Sequence, residues 1–296
     1  MHRKFRRIFL LALVGSWTTG ALLAATPSNF AAKHADRPGQ VTSIPIHIYG
    51  GFLVVVEGQI GGALQHQNFV VDTGTMPSLL NLRVARELSL PLAPAKFAAL
   101  GQETAIQATQ VPELTIGPLQ TNGTSFLATD LSSVEQAWKL PIAGILGLDV
   151  LGKMSFRLDY ENQALEFGEV SGDGVAVQLS GQERLSIAKV SINGTMFRML
   201  VDTGAERLVL FGNKPATALT RAAAKGELPG NGVAGGVAVR ALPALTLDWN
   251  GEHFRKDAVL VSSRQEPLFD GLLSVRALGF RALAFDAENQ VVYLQK

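Results

Sequence analysis

Short apolar runs separated by Gly, Asn and Asp recur from about residue 42 to the C-terminus, and this pattern reads mainly as strand. Val190 and Ile192 alternate with Ser191, Asn193-Gly194 follows, and a second run extends from Met196 to Val201. Asn-Gly accepts the positive φ angles of a tight two-residue turn, so this stretch predicts a hairpin that delivers Asp202 at the far end of its second strand. Leu53 to Val56 and Phe69 to Val71, joined through a looser glycine-containing turn, predict the same arrangement ahead of Asp72. Asn122-Gly123 and Asn250-Gly251 predict further hairpins. Helix is sparse, with Leu82 to Leu90 and Ala216 to Lys225 as candidates. Between Gly168 and Gly181 glycine and polar residues thin out the apolar pattern, which predicts a linker.

The two strand-ending aspartates open matched segments. Asp72-Thr73-Gly74-Thr75 and Asp202-Thr203-Gly204-Ala205 lie 130 residues apart (202 − 72). Pro112-Glu113-Leu114-Thr115-Ile116 returns as Pro243-Ala244-Leu245-Thr246-Leu247, an offset of 131 (243 − 112). Gly144-Ile145-Leu146-Gly147-Leu148 returns as Gly271-Leu272-Leu273-Ser274-Val275, an offset of 127 (271 − 144). Asp159-Tyr160-Glu161-Asn162-Gln163 returns as Asp286-Ala287-Glu288-Asn289-Gln290 at the same 127 (286 − 159). Four ordered matches with so little drift indicate a duplicated lobe, one over 42–168 and one over 183–296.

Composition supports a sizeable core, with 47% of the 296 residues hydrophobic. The first 25 residues stand apart. His2-Arg3-Lys4-Phe5-Arg6-Arg7 is a basic head, Ile8 to Val14 is unbroken apolar chain, and Ala21-Leu22-Leu23-Ala24-Ala25 ends in small residues. Residues 1–25 therefore read as an export signal cleaved near Ala24 or Ala25. The rival reading is an uncleaved anchor, for which the run falls short of the ~18 apolar residues a span requires. Loss of the segment removes four basic residues, leaving 22 Lys+Arg against 25 Asp+Glu and a net charge of −3 (22 − 25). That balance gives no support to nucleic-acid binding. With no cysteine, disulfides and thiol catalysis are excluded. The five histidines (2, 34, 47, 66 and 253) lack metal-ligand spacing and read as surface residues. No Gly-x-Ser-x-Gly elbow is present, and Trp138 and Trp249 read as core or cleft-wall aromatics.

Paired carboxylates that share a proton can activate water, and each Asp-Thr-Gly is half of such a site. Apolar-apolar-Asp-Thr-Gly followed by Thr75 or Ala205, with Gly144-Ile145-Leu146-Gly147 some 70 residues on, resembles the pepsin and retropepsin family of aspartic peptidases. The resemblance covers roughly residues 42–296. It implies an all-β fold of two β-barrel lobes about a pseudo-two-fold axis, with the two loops meeting on a cleft floor. Asp72 and Asp202 would hold the attacking water, and Thr73 and Thr203 would bond across to the opposite loop. Gly74 and Gly204 would let the backbone amide reach the carboxylate with no Cβ in the way. Gly147 matches the small residue packed beneath the first loop, and Ser274 departs from it in the second. The flap tyrosine of the pepsin branch has no counterpart at the right distance, so Gly101 and the Gly230 to Gly236 stretch are the flap candidates.

A further asymmetry concerns the carboxylates themselves. The Thr75 hydroxyl is placed to donate to the outer oxygen of Asp72, whereas Ala205 offers no donor to Asp202. Hydrogen bonds to the charged form favour ionisation, so Asp72 is expected ionised and Asp202 protonated. These features together read as an exported, single-chain aspartic endopeptidase, monomeric, taking a peptide or protein substrate and needing no metal or cofactor. Two alternatives stay open: a catalytically degenerate peptide-binding protein on the same fold, and an acid-base hydrolase of some non-peptide bond.

Overall fold

Asp159 and Asp286 end equivalent strands and build the same turn. Asp159 Oδ1 accepts from the amides of Glu161 and Asn162, both at 2.9 Å, and Oδ2 accepts from Asn162 Nδ2 at 2.9 Å. Asp286 repeats the set with Glu288 at 3.0 Å, Asn289 at 2.9 Å and Asn289 Nδ2 at 2.7 Å. A carboxylate bonding to the backbone two and three residues on pins a tight turn, which is why Asp-x-Glu-Asn-Gln recurs in both halves. The computed structural model in which these contacts lie describes residues 8–10, 17–19, 41–61, 63, 65–99, 102–181, 184–212, 225–232, 235–261 and 268–296.

The strands that carry these turns form a six-stranded antiparallel sheet shared by the two lobes. Its order is Val175–Ser180, Val291–Gln295, Ala282–Asp286, Phe156–Asp159, Ala164–Phe167, Thr42–Pro45. At its centre Phe156 pairs with Phe285 and Leu158 with Leu283. Adding the repeat offset of 127 converts one pair into the other, so a pseudo-two-fold axis passes between these strands. Phe156 and Phe285 pack ring to ring at 5.7 Å, inside a core cluster that reaches into both lobes.

Above this sheet each half closes into a β-barrel lobe, and the described residues are mostly strand with a few short helices. In the first, Leu53–Ile60 pairs with Gln67–Val71, and Gly144–Leu146 runs parallel to Gln67–Val71 and antiparallel to Leu79–Asn81. In the second, Leu185–Ile192 pairs with Thr195–Asp202, while Gly271–Ser274 runs parallel to that strand and antiparallel to Leu208–Phe211. The expected hairpin turn holds, with Asn193 at φ 48° and Gly194 at φ 82°. Smaller cores fill each lobe on the other face of these strands, around Val55, Val70 and Leu79 in one and Leu200, Val209 and Leu272 in the other. Strands buried on both faces explain why their sequences are continuous apolar runs and do not alternate.

Several expectations are corrected. Asn122-Gly123 makes no hairpin turn, because Leu119–Thr129 is one continuous strand paired with Gln102–Ile116. The reversal falls at Gly117-Pro118: Gly117 takes φ 53°, proline sets the next φ, and a Cβ at Gly117 would lie 2.8 Å from Ile44. The expected linker contains the strand Val175–Ser180, held by the C-terminal strand Val291–Gln295. The first helix spans Leu82–Glu87, capped by Asn81 Oδ1 accepting from the Arg83 amide at 3.1 Å. Of the second helix candidate, residues 216–224 lie outside the described residues and Lys225 opens a strand. Asn250-Gly251 does turn the chain as expected, between Gly235–Trp249 and Glu252–Val261.

The export-signal expectation lies outside the described residues, apart from strands Ile8–Leu10 and Trp17–Thr19. Among the described residues no helix is long and apolar enough to cross a membrane.

Candidate active site

Both Asp-Thr-Gly segments sit at strand ends where the parallel neighbour also stops. Asp72 follows Gln67–Val71 and donates its amide to the Leu146 carbonyl at 2.9 Å; Asp202 closes Thr195–Asp202 opposite Ser274. The backbone leaves the sheet there, and the two loops cross. The Thr73 amide donates to Thr203 Oγ1 at 3.0 Å and the Thr203 amide to Thr73 Oγ1 at 3.3 Å. Each hydroxyl then donates onward, Thr73 to the Val201 carbonyl at 3.0 Å and Thr203 to the Val71 carbonyl at 3.1 Å. Of these four buried hydrogen bonds, two join loop to loop and two tie each loop to the strand that delivers the other. Thr73 and Thr203 are thus brought together between the two loops.

The glycines allow this closeness. A Cβ at Gly74 would lie 2.7 Å from Asp202 Cγ, and one at Gly204 would lie 2.6 Å from Asp72 Cγ. Any side chain at either position would displace the opposite carboxylate. Within each loop the glycine amide donates to its own aspartate, Gly74 to Asp72 Oδ1 at 2.8 Å and Gly204 to Asp202 Oδ1 at 2.6 Å. Asp72 and Asp202 are both fully buried.

Symmetry ends at the outer oxygens. Thr75 Oγ1 donates to Asp72 Oδ2 at 2.7 Å. Ala205 has no hydroxyl, and among the described residues Asp202 Oδ2 accepts no side-chain donor; the Gly204 and Ala205 amides are what oppose its raised pKa. Burial raises the pKa of both carboxyls, because a charge loses solvation in the interior. At Asp72 the Thr75 hydroxyl is the largest opposing influence, followed by the Asp202 carboxyl and the Gly74 amide. At Asp202 burial is reinforced by the negative charge of Asp72, so its pKa stands well above the ordinary value. Burial thus disfavours charge on both carboxyls, and the Thr75 hydroxyl gives charge on Asp72 a support that Asp202 lacks.

The loops rest on different props. In the first lobe a Cβ at Gly147 would lie 1.9 Å from the Thr75 carbonyl oxygen, so only glycine fits against that loop. The Gly147 amide donates to Ser78 Oγ at 2.9 Å, and Ser78 donates through Oγ and N to Asp149 at 2.6 and 2.9 Å. In the second lobe Ser274 stands where Gly147 stands in the first, and its hydroxyl donates to the Ala205 carbonyl at 2.7 Å. The same oxygen accepts from the Ala277 amide at 3.1 Å and so caps the helix Val275–Leu278. The serine is therefore a replacement support for the second loop. Ser78 and Asp149 were not singled out from the sequence. The signal was there: each is a polar residue set in an apolar run, Pro77-Ser78-Leu79 and Leu148-Asp149-Val150.

The flap candidates fall on two long hairpins, Ala93–Ala99 with Gln102–Ile116 and Lys225–Gly232 with Gly235–Trp249. Gly101, Val233 and Ala234 lie outside the described residues. His47, His66 and His253 are exposed, and His2 and His34 lie outside the described residues. Trp249 is buried edge-on against Phe280, and Trp138 packs edge-on against Phe52. Among the described residues no group of three or more His, Asp or Glu side chains could hold a metal ion.

No curated protein matches the chain. Residues 56–150, which run from within the strand Leu53–Ile60 to within the short helix Leu148–Leu151 and include the first Asp-Thr-Gly, match the family described as aspartyl protease.

Proposed function

We propose that the chain is an exported, single-chain aspartic endopeptidase that acts on peptides or proteins through Asp72 and Asp202. The observation that carries this reading is the pair of fully buried carboxyls, held by crossed threonine bonds and given unequal partners at their outer oxygens. A water between them would lose a proton to ionised Asp72 as its oxygen attacks the scissile carbonyl carbon. Protonated Asp202 would give its proton to the carbonyl oxygen, forming a neutral tetrahedral diol. Protonated Asp72 would then give its proton to the amide nitrogen while ionised Asp202 takes one back from a diol hydroxyl, and the C–N bond breaks to yield a carboxylic acid and an amine. Thr73, Thr203, Gly74 and Gly204 would fix the plane of the pair, Thr75 would favour the charge on Asp72, and Gly147 and Ser274 would support the loops.

The division into lobes 42–168 and 183–296 belongs to this reading, as does kinship of the second lobe with the same family. Because both half-sites lie in one chain, the monomer is competent, and specific activity stays constant on dilution. Export rests on the basic head and apolar run of residues 1–25, and N-terminal sequencing from the native host tests it. The hairpins at 93–116 and 225–249 would cover bound substrate. The deciding experiment for the activity is cleavage of a random peptide library with and without pepstatin. Pepstatin-sensitive cutting is expected. Peptide binding without cutting would instead favour the degenerate binding protein, and hydrolysis of a non-peptide bond alone would favour the third alternative.

A further inference from the structure

Asp149 and Arg276 occupy the same place in the repeat, 127 residues apart (276 − 149), in Gly-Leu-Asp149-Val-Leu and Ser-Val-Arg276-Ala-Leu. They face in different directions. Asp149 binds Ser78 within its own lobe and steadies the loop above it. Arg276 leaves its lobe. Its Nε donates to the Gly51 carbonyl of the first lobe at 3.3 Å, and its Nη1 donates to the Phe280 carbonyl at 3.0 Å. Its guanidinium carbon lies 4.7 Å from the ring centre of Tyr160, another first-lobe residue. One planar cation thus joins its own helix end to a turn and an aromatic face across the pseudo-two-fold axis.

Both first-lobe targets are firmly held. A Cβ at Gly50 would lie 2.6 Å from the Trp138 ring, so the turn at Gly50-Gly51 is packed on one side by Trp138 and bound on the other by Arg276. The Tyr160 ring is buried, and its amide donates to the Arg281 carbonyl of the second lobe at 2.9 Å. Its hydroxyl has no hydrogen-bond partner among the described residues, and the ring face is the part that Arg276 uses. Ala287 stands at the matching place in the second lobe, 127 residues on (287 − 160), and offers no ring. The contact therefore occurs once, not twice. Burial raises the Tyr160 pKa, Arg276 opposes the rise, and the charges of Asp202 and Asp72 add to it, which places this contact within electrostatic reach of the carboxyl pair.

We propose that Arg276 is a positioning residue, a latch between lobes that holds the two Asp-Thr-Gly loops in register. The crossed bonds of Thr73 and Thr203 are short and directional, so a small rotation of one lobe against the other would lengthen them and separate the carboxyls. Local side-chain bonds fix each loop inside its lobe; only contacts between lobes fix the loops against each other. The link to catalysis rests on the proposed peptidase function, whereas the link to lobe register does not.

The experiment compares the full chain with Arg276→Met, Arg276→Lys and Tyr160→Phe, with Arg198→Met as an arginine control that pairs with Asp270 inside one lobe. Hydrogen exchange at the Thr73 and Thr203 amides reads lobe register directly, with strand amides at Val54 and Val190 as references. Arg276→Met should exchange at Thr73 and Thr203 at least about tenfold faster, with the reference amides unchanged. On a peptide cut by the unaltered chain its kcat should fall about tenfold with KM little changed, since small misplacements of reacting groups cost up to about 10²-fold. Arg276→Lys should fall between the two, and Tyr160→Phe should match the unaltered chain. If Arg276→Met fails to fold, Arg276→Lys decides alone, and values like those of the unaltered chain overturn the latch. Equal acceleration at Val54 and Val190, or faster exchange with unchanged kcat, also overturns it. Should no peptide be cut by any form, faster exchange confined to Thr73 and Thr203 still supports the latch while the peptidase reading falls.

Discussion

The loop at Asp72 and the loop at Asp202 share their framework and differ in their finish. Crossed threonines, close-packed glycines and glycine-to-aspartate amide bonds are the same in both. The outer oxygen of Asp72 has the Thr75 hydroxyl and that of Asp202 has none; the first loop rests on Gly147 and the second on Ser274. A shared framework brings two buried carboxyls together, which disfavours charging both, and the Thr75 hydroxyl supports charge on Asp72 where Ala205 offers no hydroxyl to Asp202. Symmetry builds the pair. Asymmetry distinguishes its members.

The largest effect should come from removing either member. Asp72→Asn or Asp202→Asn is expected to lower peptide cleavage by about 10³-fold or more, because each change removes the acid or the base. Circular dichroism of either variant should match the unaltered chain, and near-normal activity in one would mean that the pair does not act together.

The next contrast is between the props. Gly147→Ala drives a methyl group into the Thr75 carbonyl, where backbone cannot yield cheaply, and should cost about 1–3 kcal/mol of stability. Ser274→Ala removes one hydroxyl bonded to the Ala205 carbonyl and the Ala277 amide, a loss of about 1 kcal/mol. Urea unfolding of the two variants measures both, and a greater loss at Ser274 would reverse the ranking.

Exchange of the outer donors sharpens the comparison further. Thr75→Ala takes away a bond that favours ionised Asp72, so the acidic limb of the pH–rate profile should move toward neutral pH. Ala205→Thr supplies a donor to Asp202, making its proton easier to lose, so the basic limb should move down. Limbs that stay in place in an active enzyme would show that the hydroxyl does not tune the pair.

The smallest effect is on stability with pH. The Asp202 carboxyl stands well above its ordinary 3.8 in the folded chain, because burial and the Asp72 charge disfavour its ionised form. A carboxyl raised on folding stabilises the fold fully below its unfolded value and loses that contribution as pH rises through the folded one. Asp202→Asn has no such loss. Its melting temperature should therefore gain on that of the unaltered chain from about pH 4 upward. A constant difference across pH would show that Asp202 carries no excess proton.

Much of this was legible along the chain because it depends on local chemistry. Asn193-Gly194 specifies its turn, and Asp-x-Glu-Asn-Gln specifies another through bonds that span three residues. The reading of Asn122-Gly123 as a hairpin failed because the same rule was satisfied better at Gly117-Pro118, where the chain must clear Ile44 from a distant strand. In the strand Val175–Ser180 only Leu179 and Ser180 pair locally, with Ser186 and Leu185; the rest pairs with Val291–Gln295, more than a hundred residues away, and no local pattern announces it. Ser274 looked like a departure and serves as a prop, since its value depends on where the Ala205 carbonyl points.

By itself the sequence determined that the protein is built from two copies of a mostly β unit, that each copy presents an Asp-Thr-Gly at a strand end, and that Thr75 faces no equivalent at Ala205. These follow from periodicity, turn chemistry and repetition, which act over a few residues or compare one stretch with another. Only the tertiary structure decided that the two aspartates meet and share burial, that Ser78 and Asp149 support one loop, and that Arg276 reaches the other lobe. Those relations join residues 71 to 225 positions apart, where the direction of a side chain is set by how strands pair and lobes pack, and no local preference encodes it.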